Sequence, residues 1–196
     1  MKSKDWLERQ KRDLYYKKAK NSGYVSRSAF KILEVEKKFK LVSNAKKILE
    51  IGSSPGGWSQ AMFNINEKIH ICAFDLLDMK FNHPNLNFFK EDFLNFDYSK
   101  LPYKFDLILS DIAPNTTGHQ STDHLRIASM IEDIISKLDF IASPSSSLVF
   151  KIWKGSEEKN ILNDLKNKYK KISYFKPHSS RDESSEIYIV ALKFIQ

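Results

Sequence analysis

One cysteine, Cys72, is all the thiol chemistry in this 196-residue chain. A lone cysteine excludes a disulfide framework and a thiolate-held metal cluster, and its place in an apolar stretch assigns it to the core. The five histidines, His70, His83, His119, His124 and His178, show no ligand spacing on one helix face, so no metal is expected. No apolar run is long enough to cross a bilayer, and no secretory signal opens the chain, so no membrane partner is expected. The acids near the N-terminus are also unlike a transit peptide. One further absence matters most. Gly52, Gly56 and Gly57 do not complete the G-x-G-x-x-G spacing of a dinucleotide-phosphate turn, which argues against a nicotinamide oxidoreductase.

What the chain has in excess is positive charge, +8 from 32 Lys and Arg against 24 Asp and Glu. The first twenty residues concentrate it in Lys2, Lys4, Arg9, Lys11, Arg12, Lys17, Lys18 and Lys20, with Trp6, Tyr15 and Tyr16 between them. Cations interleaved with aromatic rings suit a polyanion whose bases can stack, so nucleic acid is the expected partner. The competing reading is a solvated helix that carries lysines for solubility. A hydrophobic fraction of 41% is that of a folding chain, and the length fits one domain. We expect a single domain over 1–196, with 1–40 a basic helical extension.

Strand-like and helix-like stretches alternate. Helices are expected over 1–20 and Ser26–Phe39, from about Ser59, over Leu125–Ile141 and near Glu157–Tyr169. Strands are expected at Lys47–Ile51, Ile69–Phe74, Leu86–Phe89, Phe105–Leu109, Leu148–Ile152, Lys171–Phe175 and Glu186–Phe194. Ser143–Ser147 reads as a small flexible turn. Short, nearly continuous apolar strands separated by helices predict an α/β fold, a mostly parallel seven-stranded sheet with helices on both faces. The last two strands are joined too closely for a crossover helix and predict an antiparallel edge.

The first strand runs into Gly52-Ser53-Ser54-Pro55-Gly56-Gly57-Trp58-Ser59-Gln60. Small residues let backbone approach a nucleotide there. Without a pyrophosphate fingerprint, an adenosine cofactor such as S-adenosylmethionine is the natural occupant. Three later strands end in acids. Asp75 is placed for ribose hydroxyls, Asp92 for the adenine amine, and Asp111 nearest the reacting centre. Singly, such acids are more often helix caps or turn residues; three around one glycine turn favour the site. Lys151 lies inside the apolar Val149-Phe150-Lys151-Ile152-Trp153. Alone it would be an edge lysine reaching water, but at the same end as Asp111 it looks like a buried functional amine.

These segments together resemble one family. Tyr24-Val25-Ser26-Arg27-Ser28-Ala29-Phe30-Lys31, Pro55–Gln60, Ser110-Asp111-Ile112-Ala113-Pro114-Asn115, Phe150–Trp153, and Ser179-Ser180-Arg181 through Glu186-Ile187-Tyr188 are similar, in order and spacing, to the FtsJ/RrmJ RNA ribose 2′-O-methyltransferases. The likeness runs from about Arg12 to the C-terminus. It implies a Rossmann-like S-adenosylmethionine-dependent methyltransferase fold, with a catalytic set at Lys31, Asp111, Lys151 and Glu186. It also implies cofactor contacts at Gly56, Trp58, Asp75, Asp92 and Asp111, which join Gly52 and Gly57 of the turn. Serines stand at 53 and 54 where the family commonly has alanines.

The implied chemistry is methyl transfer to a ribose 2′-hydroxyl with Lys151 as base. A lysine that takes a proton must be neutral, which burial and Lys31 favour and Asp111 and Glu186 oppose. No insertion separates Gln60 from Asp75, and the chain stops after its last strand. Both resemble the members acting on a uridine of large-subunit rRNA, as naked RNA or assembled subunit. Asp123–Arg126, Lys151–Ser156 and Ser180–Glu186 are similar to mitochondrial members, so the resemblance favours the mitochondrial matrix over the cytoplasm as the compartment. A monomer is expected. The competing readings are a tRNA anticodon-loop or mRNA-cap 2′-O-methyltransferase and, from another class, a non-catalytic RNA-binding ribosome-assembly factor.

Overall fold

The apolar stretches become the inner strands of one seven-stranded sheet, ordered β3-β2-β1-β4-β5-β7-β6. The computed structural model describes residues 13–114, 117–153, 155, 158–181 and 184–195. Strands β1 (Lys47–Ile51), β2 (His70–Phe74), β3 (Leu86–Phe89), β4 (Phe105–Ser110) and β5 (Ala142–Trp153) pair in parallel. β7 (Glu186–Phe194) lies between β5 and β6 (Tyr169–Phe175), antiparallel to both, as the short connection before it requires. Strand order reverses between β1 and β4, so the crevice beyond their carboxyl ends is where an open α/β sheet binds its ligand.

Both faces are covered, which is why β1 and β2 are buried at four of their five positions. Helices α2 (Ala29–Phe39) and α3 (Gly57–Ile65) pack Ile32, Val35, Trp58 and Met62 on one face, over Ile48, Ile71 and Leu107. On the other, α4 (Gln120–Ser136) and α6 (Glu158–Lys168) bring Ile131, Ile135, Ile161 and Leu165 onto Leu49, Ile108 and Phe150. Cys72 is fully buried. Of the helix expected over 1–20, α1 (Leu14–Asn21) is seen, capped by Asp13, whose carboxylate accepts from Tyr16 N. Residues 1–12, with Trp6 and most of the basic cluster, lie outside the described residues.

Two expectations are corrected. The helix expected over Leu125–Ile141 starts earlier and divides into α4 and α5 (Leu138–Ile141). At Lys137 the N–H bonds Ile134 O at 3.1 Å, a tightened last turn that ends α4. The early start follows from buried Asp123, which accepts from Thr117 N and Oγ1, both at 2.8 Å, and ties the preceding loop to the helix. Ser143–Ser147 is no free turn. It is an irregular part of β5: Phe105 and Leu107 face Ala142 and Ser147, and the extra residues bulge through Ser145 at φ 62°.

Candidate active site

The β1–α3 turn is built by close packing. Gly52 has φ 81°, and a Cβ there would sit 2.8 Å from Ile112 N on the β4 side. At Gly56, φ 105°, a Cβ would meet Phe81 Cβ at 2.7 Å. A substitution at either position meets both an unfavourable backbone region and occupied space. Above the turn lies a cavity of 520 Å³, lined among others by Gly52, Asp75, Asp92, Phe93, Asp111 and Met130. This volume is in the range of small-molecule sites.

The acids at the strand ends serve two purposes. Asp75 Oδ2 accepts from Ser54 N and Oδ1 from Leu77 N, each at 2.8 Å, which fixes its carboxylate at the cavity wall. Asp92 caps a 3₁₀ turn through Leu94 N at 3.0 Å and also accepts from Asn95 Nδ2 at 2.8 Å. Each is thus a cap or turn residue and a lining residue at once. Gly57 begins α3, packed beneath Ser26. Trp58, expected among the cofactor contacts, is 2% exposed; its indole donates to Ser28 O at 2.9 Å and lies 5.9 Å from the Tyr188 ring. Gly56, Gly57 and Trp58 do not line the cavity. Trp58 instead ties α3 to the start of α2, the helix that carries Lys31.

Asp111 closes the cavity at the end of β4 and faces a polar cluster on its far side. Its Oδ1 meets Lys151 Nζ at 2.9 Å and accepts from Tyr188 OH at 2.7 Å, with Lys31 Nζ at 4.0 Å. Lys151 also donates to Asp111 O at 2.8 Å, so the amine is held twice. Lys31 pairs with Glu186 at 2.7 Å, and Glu186 accepts from Ser180 Oγ at 2.7 Å. Residues from α2, β4, β5 and β7, distant in sequence, therefore meet in one buried network. Burial pushes the Asp111 carboxyl up, but Lys151, Lys31 and the Tyr188 hydrogen bond outweigh it and hold it below the usual range. Burial, then the charges of Asp111 and Glu186, keep the Tyr188 phenol well above its ordinary value, so it is neutral and donates.

Tyr188, Ser180 and Arg27 were missed from sequence. Tyr188 stands two residues after Glu186, and strand alternation puts both on one face. Arg27 lines the cavity, pairs with Asp13 and donates to Ser179 O, which ties α1 to the loop before β7. Arg181 joins Asp13 at 3.6 Å. Glu34 accepts from His178 N and Ser179 N at 2.6 and 2.9 Å, so the loop that delivers Glu186 is docked on α2 as well. Glu50, 1% exposed in β1, hydrogen-bonds Ser59 Oγ under the turn. Its signal was the one that marked Lys151, a charge in an apolar strand. Among the described residues no cluster of three or more His, Cys, Asp or Glu could hold a metal ion, and no helix is long and apolar enough to cross a membrane.

The model of the FtsJ-like methyltransferases matches residues 24–194. The chain belongs to that family. Among curated relatives, the ribosomal RNA large subunit methyltransferase E of Rickettsia bellii is 38% identical over 201 residues, covering 97% of this chain and 88% of its own. The enzyme of the same name from Rickettsia canadensis is 38% identical over 203 residues, with the same coverages. A crystal structure of a Plasmodium falciparum protein, described as a ribosomal RNA methyltransferase, superposes with a TM-score of 0.75 at 26% identity, covering 87% of this chain and 98% of that one. As an FtsJ-like methyltransferase the chain uses S-adenosylmethionine. The cavity fits that group: carboxylates at two strand ends suit a ribose and an adenine amine, and Phe93, Leu94 and Met130 offer an apolar wall.

Proposed function

We propose that this protein methylates the ribose 2′-hydroxyl of a uridine in large-subunit ribosomal RNA, with Lys151 as the base. One observation carries the reading. Asp111 belongs at once to the wall of the cofactor cavity and to the network that holds the Lys151 amine. A hydroxyl brought to Lys151 therefore lies beside the wall that Asp111 forms in the cofactor site. The names of the rickettsial and Plasmodium relatives support ribosomal RNA as the substrate, and their bacterial members support the cytoplasm over the mitochondrial matrix.

When bound, S-adenosylmethionine supplies a methyl group on a positively charged sulfur, which departs as a neutral thioether. A ribose hydroxyl is a weak nucleophile until its proton leaves. Lys151 Nζ acts as the neutral amine: its lone pair takes that proton, and Asp111 stabilises the resulting ammonium at 2.9 Å. Lys31, held by Glu186, contacts the ribose or its phosphate. Asp75, Asp92 and the backbone around Gly52 and Pro55 hold the cofactor, with Gly56, Gly57 and Trp58 shaping and bracing the turn. The basic segment 1–40, docked from Asp13 onward through Asp13–Arg27, carries part of the RNA contact as an extension of a single methyltransferase domain acting as a monomer.

The test is transfer of labelled methyl from S-adenosylmethionine to large ribosomal subunits, naked rRNA and tRNA, followed by digestion to nucleosides. Label in 2′-O-methyluridine from subunits or rRNA is expected. Label confined to tRNA overturns the substrate assignment. Cofactor binding with no label in any RNA overturns the enzymatic reading in favour of an assembly factor.

A further inference from the structure

Between β6 and β7 the chain makes a tight turn, Pro177-His178-Ser179-Ser180, closed by Ser180 N donating to Pro177 O at 3.0 Å. That closing bond leaves the N–H groups of the two central residues without a partner inside the turn. Glu34 takes both: Oε2 accepts from His178 N at 2.6 Å and Oε1 from Ser179 N at 2.9 Å. A carboxylate gripping two successive N–H groups, one on each oxygen, fixes a turn in place and in rotation. Arg27, just before α2, adds a hydrogen bond to the Ser179 carbonyl.

Glu34 stands three residues after Lys31 on α2, so the two side chains share a helix face. They grip one segment at two points. Glu34 holds the turn, and Lys31 pairs with Glu186 Oε1 at 2.7 Å. Ser180 links the two, because its hydroxyl donates to the same Glu186 oxygen at 2.7 Å. The place of that oxygen therefore follows the place of the turn. Lys31 also has a second anion within reach: Asp111 Oδ1 lies 4.0 Å away, and Lys151 holds that atom at 2.9 Å. With Glu186 in position, Lys31 stays on its own carboxylate and leaves Asp111 to Lys151.

We propose that Glu34 is a positioning residue for methyl transfer: by docking the 177–180 turn on α2 it sets the Lys31–Glu186 pair and keeps Lys31 off the oxygen that orients Lys151. The inference rests on ribose methylation as proposed above and adds a residue that acts through Lys31 without touching the substrate.

The experiment compares wild type, Glu34→Ala, Glu186→Gln and the double variant in single-turnover methyl transfer to large-subunit rRNA, with S-adenosylhomocysteine affinity measured on each. Glu34→Ala should lower the transfer rate about 10-fold, and Glu34→Gln, which keeps one acceptor oxygen, should fall between it and wild type. In the Glu186→Gln background Glu34→Ala should cost no further transfer, because Glu34 acts through Glu186. Cofactor affinity should stay unchanged throughout, which also shows that the variants fold. A second readout needs no RNA: competitive acylation of amines by a small reagent, mapped by mass spectrometry. Lys31 should react several-fold faster in Glu34→Ala than in wild type, while the exposed Lys68 is unchanged. Transfer by Glu34→Ala equal to wild type overturns the proposal. So does an equal loss in both backgrounds, the mark of a merely structural contact. Faster Lys31 acylation in a protein that methylates no RNA leaves the positioning standing and overturns the ribose methylation; methylation with unchanged acylation does the reverse.

Discussion

Two carboxylates on neighbouring strands of this sheet, Glu50 and Asp111, meet opposite fates. Glu50, under the glycine turn of β1, has one hydrogen-bond partner, Ser59, and burial pushes it from 4.5 up to about 8 despite that bond. Asp111, at the end of the neighbouring β4, is partly buried at the cavity wall and is held below its ordinary value. The difference lies in the two lysines and the tyrosine hydroxyl around Asp111. Burial alone neutralises an acid; burial with matched cations preserves a charge pair and fixes an amine in place. The turn region needs a neutral brace. The far side of the cofactor cavity needs charge.

The sharpest break of this contrast is Asp111→Asn, which leaves Lys31 and Lys151 buried beside a neutral amide. Methyl transfer should fall about 1000-fold, and urea unfolding should show a loss of about 3 kcal/mol. An unchanged urea midpoint would mean that the lysines find other counter-charges. Glu186→Gln should cost less, about 10-fold to 100-fold in transfer, because Lys31 loses its ion pair but keeps Asp111 nearby. A single-turnover assay at saturating cofactor reads this, and a rate equal to wild type would remove Lys31–Glu186 from the reaction.

Glu50 predicts a pH effect of opposite sign to an ordinary surface acid. Its folded value lies above the unfolded one, so between about 4.5 and 8 the folded state holds the proton more tightly. Its contribution is favourable at low pH and is lost as pH rises through that window. Glu50→Gln should therefore match wild type near pH 5 and melt several degrees higher at pH 9. Equal melting differences at both pH values would show that Glu50 is ionised in the fold. Ser59→Ala, the smallest change, removes the hydroxyl that bonds that carboxyl, leaves the backbone N–H of residue 59 in place, and should cost about 1 kcal/mol in urea unfolding. No loss would mean that the carboxyl is satisfied otherwise.

How far the sequence reached depended on the kind of signal. Lys151 was legible because a cation interrupts an apolar strand, and Asp75, Asp92 and Asp111 because each closes one. Glu50 carried the same signal in Lys47-Ile48-Leu49-Glu50-Ile51 and was passed over beside the glycine turn. Tyr188 gave no signal, since an aromatic residue in a buried strand looks like core. Its role appears only when β7 is laid antiparallel between β5 and β6, a long-range pairing that local pattern does not encode. The Ser143–Ser147 bulge was hidden for a similar reason: serines read as a turn until a neighbouring strand imposes register.

The account stands or falls on the Lys151 amine. The decisive measurement is single-turnover methyl transfer to large-subunit rRNA by wild type and Lys151→Ala, with S-adenosylhomocysteine affinity measured on the same preparations. The account predicts unchanged cofactor affinity and transfer reduced at least 1000-fold in the variant. Substantial turnover by Lys151→Ala with cofactor affinity intact would contradict it and move the base elsewhere.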